Sequence, residues 1–325
     1  MSLLAGFIYR QFIHEPPVPT ESYEGRTVIV TGANQGLGLE AVRWMVKLKA
    51  SRVILACRSL EKGEAAIADI CSTTRCPPEK LAVWRLDMAS YASVQAFADK
   101  VNSELPRLDA IVLNAGVIRR TFHLAEDNEE TITTNVVSLA LLAFLIHPKL
   151  RETHAKFGVT THLTVTGSEL YESASFRERK APPGKLFERL ADKNTLSMDR
   201  YDTSKLLVLF FIREFATLYP VDSTGVVINI VAPGFCGSQL GREWDSRAAR
   251  AATKALARPA EVGARTLVYG ASASKDTHGQ YLPDCKITQP NRGLAKGKAG
   301  EELQKRVWTE LKTKLETIRP GVTMA

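Results

Sequence analysis

Thr27-Val28-Ile29-Val30-Thr31 is a short β-branched run that breaks at once into Gly32-Ala33-Asn34-Gln35-Gly36-Leu37-Gly38 and then into a helical pattern. Few local sequences restrict a fold as strongly. β-Branched residues favour a strand. The three glycines suit a tight turn, a close approach of backbone to a diphosphate, and close packing of helix on strand. The N-terminus of the helix expected over 37–49 offers unpaired N–H groups and the positive end of its dipole to that anion. The stretch therefore reads as the start of a nucleotide-binding β-α-β unit. Glycines also mark ordinary turns, so this reading needs support from the rest of the chain.

That support comes first from periodicity. Strand-like runs at 27–31, 52–57, 81–86, 108–113, 160–166 and 225–231 alternate with helical patterns at 37–49, 60–70, 90–104, 129–150, 200–219, 240–256, 260–271 and 299–317. Near-continuous apolar strands alternating with helices predict an α/β fold, a doubly wound parallel sheet of Rossmann type with helices on both faces. No repeat or low-complexity linker divides the 325 residues. A single domain over 25–325 is expected, preceded by an arm at 1–24 and carrying an insert at 169–200 and a C-terminal helix at 299–317. The stretches 136–146 and 206–212 are apolar nearly all round, which predicts burial in a core or a subunit interface. Neither run is long enough to cross a membrane.

The formal charge of +8 raises the question of nucleic acid. The basic residues are spread along helices, and the tightest cluster, Arg177–Lys180, contains Glu178. No basic run is interleaved with aromatics, so a solvated basic surface is expected, with no nucleic-acid partner and some attraction for an anionic cofactor. Cys57, Cys71, Cys76, Cys236 and Cys285 are scattered without metal-site spacing. They read as free thiols in a reducing compartment, with a cytoplasmic location and no metal expected. The apolar start, Leu3-Leu4-Ala5-Gly6-Phe7-Ile8, is too short to span a bilayer, lacks the basic start of a signal peptide, and is followed by Pro16, Pro17 and Pro19. It reads as an amphipathic arm packed on this chain or a partner, with membrane-surface contact as the lesser alternative.

The chemistry concentrates in Tyr201-Asp202-Thr203-Ser204-Lys205. Four residues apart on a helix, Tyr201 and Lys205 share a face. An ammonium beside a phenol favours phenolate and is expected to lower the tyrosine pKa toward the range of an acid/base catalyst. Ser168 follows the strand-like run Leu163-Thr164-Val165-Thr166-Gly167. It thus stands at the C-terminal end of a parallel strand, where α/β folds bind ligands. Its hydroxyl suits a hydrogen bond to a substrate carbonyl, and equally a turn or a helix cap.

Together these residues resemble the short-chain dehydrogenase/reductase family, of the classical type. The matches are Thr31-Gly32-x-x-x-Gly36-x-Gly38, Asn114-Ala115-Gly116, Asn135, Ser168, Tyr201 with Lys205, and Pro233-Gly234, in the family's order over residues 25 to 285. Within the family the chain resembles retinol-dehydrogenase-like reductases, particularly fungal ones encoded with secondary-metabolite pathways. That narrower likeness rests on Phe12-Ile13-His14-Glu15-Pro16-Pro17-Val18-Pro19 and His278-Gly279-Gln280-Tyr281-Leu282.

The resemblance implies that Tyr201 is the general acid in carbonyl reduction and the base in alcohol oxidation. It implies that Ser168 polarises the carbonyl, that Lys205 binds the nicotinamide ribose and tunes Tyr201, and that Asn135 holds a water in a proton relay. It also implies cofactor contacts from the loop 32–38 (Gly32, Asn34, Gln35, Gly36, Leu37 and Gly38), from Asn114, Ala115 and Gly116, and from Pro233 and Gly234. Asp87 would contact the adenine, with Met88 bordering the same pocket, and Ser238 stands where a threonine often binds the carboxamide. The two apolar helices match the pair that builds the family's usual dimer, so a homodimer is an expectation that the terminal additions put in doubt.

Two departures matter. Leu113 replaces an asparagine that is often present, with mainly structural effect. The stretch from Glu169 to Arg200 is far longer than the family's usual spacing between serine and tyrosine. Its Arg177, Arg179, Lys180, Pro182, Pro183 and Gly184 predict a polar, exposed excursion that walls or lids the substrate cleft and moves more than the sheet, with Phe187 and Leu190, three apart on a short helix, as an apolar edge toward the substrate. Decoration without function is the alternative.

Cofactor choice is legible after the second strand, where an acid would bind the ribose of NAD and repel a 2′-phosphate. Cys57 occupies that position and Arg58 follows, which suits the phosphate of NADP. The expected activity is NADP(H)-dependent reduction of a ketone, or oxidation of a secondary alcohol, on an apolar small molecule. A C=C reductase or dehydratase on the same cofactor, and a regulator that senses NADP without turnover, stand as alternatives. The complete Ser168, Tyr201 and Lys205 set argues against both.

Overall fold

The computed structural model describes residues 11, 15–237, 240 and 256–324. Among these, seven strands form one parallel sheet: β1 Thr27–Thr31, β2 Arg52–Cys57, β3 Leu81–Arg85, β4 Ala110–Leu113, β5 Thr161–Thr166, β6 Val226–Ala232 and β7 Tyr281–Pro283. Their order is β3-β2-β1-β4-β5-β6-β7, so the winding reverses between β1 and β4. A crevice at the carboxyl ends of the strands is the ligand-binding position of such a sheet. The three-residue β7 escaped the sequence reading because it is too short to show a period. It closes the sheet edge at Pro283, where a missing N–H is tolerated.

Helices α1 Gly36–Lys47, α2 Leu60–Thr74, α3 Tyr91–Glu104, α4 Ser138–Phe157, α5 Arg200–Leu218, α6 Ala260–Gly270 and α7 Gly297–Ile318 cover the sheet. Successive strand residues point to opposite faces. Val28 and Val30 therefore join Ala41, Met45, Ile70 and Leu267 in a core under α1, α2 and α6. Ile29 joins Phe97, Leu141 and Phe210 in a larger core under α3, α4 and α5. The expected doubly wound α/β fold is thus the one present. The helix expected at 240–256 lies almost wholly outside the described residues.

The apolar run in α4 continues further than its densest stretch. The continuous helix Glu130–Phe157 is 28 residues, long and apolar enough to cross a membrane, which corrects the argument from run length. However, 89% of its apolar window is buried inside the protein, so it is the central core helix. α7 covers the flank of α4 and α5. Val307, Leu311 and Leu315 enter the larger core, and the Trp308 ring lies 6.1 Å from Phe144 and 6.0 Å from Phe211.

The insert is not a polar excursion. Tyr171, Phe176, Leu186, Phe187 and Leu190 are all buried in the larger core. Its backbone is held by α7: Arg306 donates to the carbonyls of Arg179 and Ala181 at 2.7 Å and of Pro182 at 3.0 Å, and Glu310 accepts from the Leu186 N–H at 2.8 Å. Most of the charged residues in its sequence lie toward solvent, but Glu178 and Arg200 are buried. Apolar residues that look isolated along the chain converge because short helical turns at Glu169–Ser173, Arg177–Lys180 and Leu186–Ala191 present them to one side. The apolar start over residues 3–8, expected to pack as an arm, lies outside the described residues, while described residues of 1–24 contact the body. Tyr23 is buried and its hydroxyl donates to the Val268 carbonyl at 2.7 Å, while Gln11 donates to the carbonyls of Phe235 and Leu256.

Candidate active site

The glycine turn is built by sterics. Gly32 has φ +66°, and a Cβ on it would stand 3.0 Å from the Ala115 Cα. A Cβ on Gly38 would stand 2.5 Å from the Gly32 carbonyl oxygen, so only glycine lets α1 seat against the turn. Gly36 opens α1 with φ +56°, and the Gln35 side chain does not cap the helix. The first-turn N–H groups thus have no side-chain cap from Gln35, and with Asn34 and Leu37 alongside they fit a dinucleotide diphosphate. Thr31 has a part its sequence did not announce. Its hydroxyl accepts the N–H groups of Asn114 and Ala115, both at 2.9 Å, while the Asn114 amide donates to the Thr31 carbonyl at 3.0 Å. The segment Asn114-Ala115-Gly116 is therefore laced to the glycine turn across β1 and β4.

Arg58 follows β2 at the same end of the sheet, exposed, and its side chain has no hydrogen-bond or ion-pair partner among the described residues. Asp87 follows β3. Its carboxylate accepts the Ala89 N–H at 3.0 Å and its own N–H donates to Ser93 at 2.9 Å, so it shapes the turn that leads to α3. Met88 is buried in the larger core.

Ser168 stands just beyond β5, where its hydroxyl accepts the Leu170 N–H at 3.2 Å and lies near the phenol of Tyr201. Tyr201 lies in the first turn of α5 and Lys205 one turn further. The Lys205 ammonium is 5.5 Å from the Tyr201 ring centroid and donates to the Thr166 carbonyl at 2.7 Å. Ser168, Tyr201 and Lys205 thus converge at the carboxyl end of β5.

The electrostatics differ from the expectation. Burial raises the Tyr201 pKa above its ordinary value, neighbouring Asp202 adds to that, and the nearby Ser168 hydroxyl opposes it. Burial also lowers the Lys205 pKa to about 8. The ammonium is engaged by the Thr166 carbonyl, so it does not overcome the cost of burying a phenolate. The proton stays on Tyr201 near neutral pH, which is the state a proton donor needs.

Asn135 sits in a π-helical turn, Thr133–Val137, a local irregularity that recurs at functional sites. Its side-chain oxygen accepts the Val117 N–H at 2.9 Å, and its amide donates to the Val117 carbonyl at 2.9 Å and to Ser204 at 3.1 Å. It ties the loop after Gly116 to α5 beside Lys205. A Cβ on Gly116 would come within 3.2 Å of its side-chain oxygen.

Gly234 turns the chain after β6 with φ +77°. Behind it lies a buried pair that the sequence did not reveal: Arg258 donates to Asp284 at 2.7 Å and to the Pro233 carbonyl at 3.2 Å. Nothing in the isolated residues marks them as partners, because they are brought together only by the end of β7. Ser238 lies outside the described residues. Leu170, Met198 and Phe235 are exposed by 48%, 76% and 42%; each lies within three residues of Ser168, Tyr201 or Gly234.

Comparison with known proteins identifies relatives of the chain and of its fold. The family described as short chain dehydrogenase matches residues 26–159. The short chain dehydrogenase/reductase dmxR8 of Cryptosporiopsis sp. is 45% identical over 321 residues, covering 98% of this chain and 99% of that protein. The short chain dehydrogenase atnD of Emericella nidulans is 41% identical over 292 residues, covering 87% and 91%. Among solved structures, the RhlG/NADP active-site complex of Pseudomonas aeruginosa superposes with a TM-score of 0.61 at 21% identity, covering 82% of this chain and 96% of that one. That likeness is one of fold. The fold, the glycine turn and the near full-length identity to these fungal relatives together make the chain a member of the short-chain dehydrogenase/reductase family.

Proposed function

We propose that this chain is an NADP(H)-dependent carbonyl reductase, or alcohol dehydrogenase in the reverse sense, acting on an apolar small molecule of secondary metabolism. The observation that carries the reading is the convergence of Ser168, Tyr201 and Lys205 at the carboxyl end of β5, with the Lys205 ammonium 5.5 Å from the Tyr201 ring centroid. A carbonyl oxygen seated between the two hydroxyls would receive a hydrogen bond from Ser168 and a proton from Tyr201 as negative charge develops on it. When bound, the nicotinamide supplies or accepts the hydride. The chain's own residues orient and protonate. Lys205 holds the Tyr201 end of α5 to β5 through the Thr166 carbonyl and would bind the nicotinamide ribose, and Asn135 anchors the neighbouring loop.

The glycine turn with Asn114-Ala115-Gly116 would hold the diphosphate side of the cofactor, Asp87 and Met88 the adenine side, and Pro233, Gly234 and Ser238 the nicotinamide side. Arg58 favours NADP over NAD because its guanidinium has no partner among the described residues and no acid stands at the end of β2. The Pseudomonas aeruginosa RhlG structure is a complex with NADP. Leu170, Met198 and Phe235 give the mouth an apolar rim suited to a hydrophobic substrate. The insert would contribute one wall of that mouth, built as a packed element. We divide the chain into an arm at 1–24 and one domain at 25–325, and assign it to the cytoplasm on account of its free thiols. α7 occupies the flank of α4 and α5, which supports a chain that does not form the expected homodimer through that face.

The test is oxidation of NADPH, followed by its absorbance, against a panel of hydrophobic ketones. Wild type should turn over at least one ketone, and Tyr201→Phe should keep NADPH binding while losing about 10²–10⁴ in turnover. NADPH binding without oxidation of any ketone would favour the sensor. An undiminished Tyr201→Phe rate, with chemistry rate-limiting, would remove Tyr201 from the mechanism.

A further inference from the structure

We infer that Cys71 and Cys76 form a dithiol site that closes to an intrachain disulfide by exchange with a small-molecule disulfide such as that of glutathione. The two sulfurs are 3.5 Å apart, in contact at the end of α2 and far along the chain from the catalytic residues. Both side chains are half-buried, so a small disulfide can approach. The other three cysteines, Cys57, Cys236 and Cys285, are buried.

The backbone holds the pair in register. Arg75, at φ +58°, takes the left-handed conformation that ends α2, and its N–H donates to the Cys71 carbonyl at 2.8 Å. That reversal brings Cys76 back over the last turn of the helix. Pro77 restricts the backbone of Cys76 to extended conformations, and the Cys76 N–H is held by the Thr74 hydroxyl at 3.3 Å. Both sulfurs also pack against the smaller core. Closing them therefore costs little chain ordering.

The chemistry balances. The thiolate of one cysteine attacks a sulfur of glutathione disulfide and expels one glutathione thiolate. The other cysteine attacks the protein sulfur of that mixed disulfide, the protein S–S bond forms, and the second glutathione leaves. Two protons and two electrons pass from the protein to two glutathione molecules. Burial, the proximity of the two sulfurs and Glu79 raise the Cys71 thiol to about 11, so attack by Cys71 is slow near neutral pH. The bond would staple the end of α2 to the segment that enters β3, the outermost strand at that edge of the sheet.

The experiment uses the reduced full chain with excess glutathione disulfide at pH 8.5, read by intact mass and peptide mapping. The expected product is lighter by two hydrogens, with the peptides carrying Cys71 and Cys76 linked, and dithiothreitol restores the starting mass. Cys76→Ser should stop at a single glutathione adduct on Cys71. Wild type that stops at glutathione adducts, that links other cysteines, or that stays unmodified would overturn the inference. This readout does not depend on substrate turnover.

Discussion

The residue before Tyr201 supports a prediction about what holds α5 in place. Arg200 and Glu178 pair at 2.9 Å with side-chain exposures of 1% and 4%. The guanidinium also donates to the Thr195 carbonyl at 3.0 Å and to the Thr195 hydroxyl at 3.3 Å, while its Nε and Nη1 have no hydrogen-bond partner among the described residues. Glu129 is also buried; burial raises its carboxyl pKa and Arg200 draws it back down. Glu178→Gln keeps the shape but leaves a buried cation short of its counter-charge. Breaking a buried pair in this way costs about 3–5 kcal/mol. Glu129 supplies part of the missing charge, which puts the expected loss near the lower end, about 3 kcal/mol. Urea denaturation should show the midpoint falling with an unchanged slope. In a double-mutant cycle with Arg200→Met, the combined loss should be smaller than the sum by about 0.5–3 kcal/mol. Because Arg200 abuts Tyr201, the folded Glu178→Gln protein should also lose turnover while keeping its NADPH affinity. A midpoint shift worth under about 1 kcal/mol, or strict additivity in the cycle, would refute the argument that this pair is a buried interaction holding α5.

Arg58→Ala should weaken NADPH binding by roughly 1.5–3 kcal/mol, the worth of a hydrogen bond to a charged group, and leave NADH nearly unchanged; equal losses in fluorescence titrations would end its assignment to the 2′-phosphate. Lys205 gives a pH signature in stability. Its folded pKa is about 8 against an ordinary 10.5, so between those values the unfolded chain binds more protons and stability rises with pH. Relative to Lys205→Met, wild type should gain about 3 kcal/mol from pH 8 to 10.5 by 1.36 kcal/mol per unit, measured by denaturation across that range; parallel profiles would mean the lysine is not desolvated.

What the amino-acid sequence determined by itself was whatever local spacing encodes. The strand that ends in a glycine turn, the alternation of strands with helices, and the four-residue separation of Tyr201 and Lys205 are all properties of neighbours along the chain. Sterics and helical periodicity act at that range, so the doubly wound fold and the residues that meet at the end of β5 were legible. Tertiary structure decided the interactions whose partners lie far apart. Thr31 laces itself to Asn114 across two strands, and Arg258 finds Asp284 only once β7 is laid down. The insert read as polar because its charged residues outnumber its apolar ones, yet Phe176 and Leu190 are fully buried once α7 stands beside them. The direction of the Tyr201 shift was likewise a tertiary matter. Sequence puts a cation one turn away, but the burial of the phenol and the carbonyl that engages that cation exist only in the folded chain.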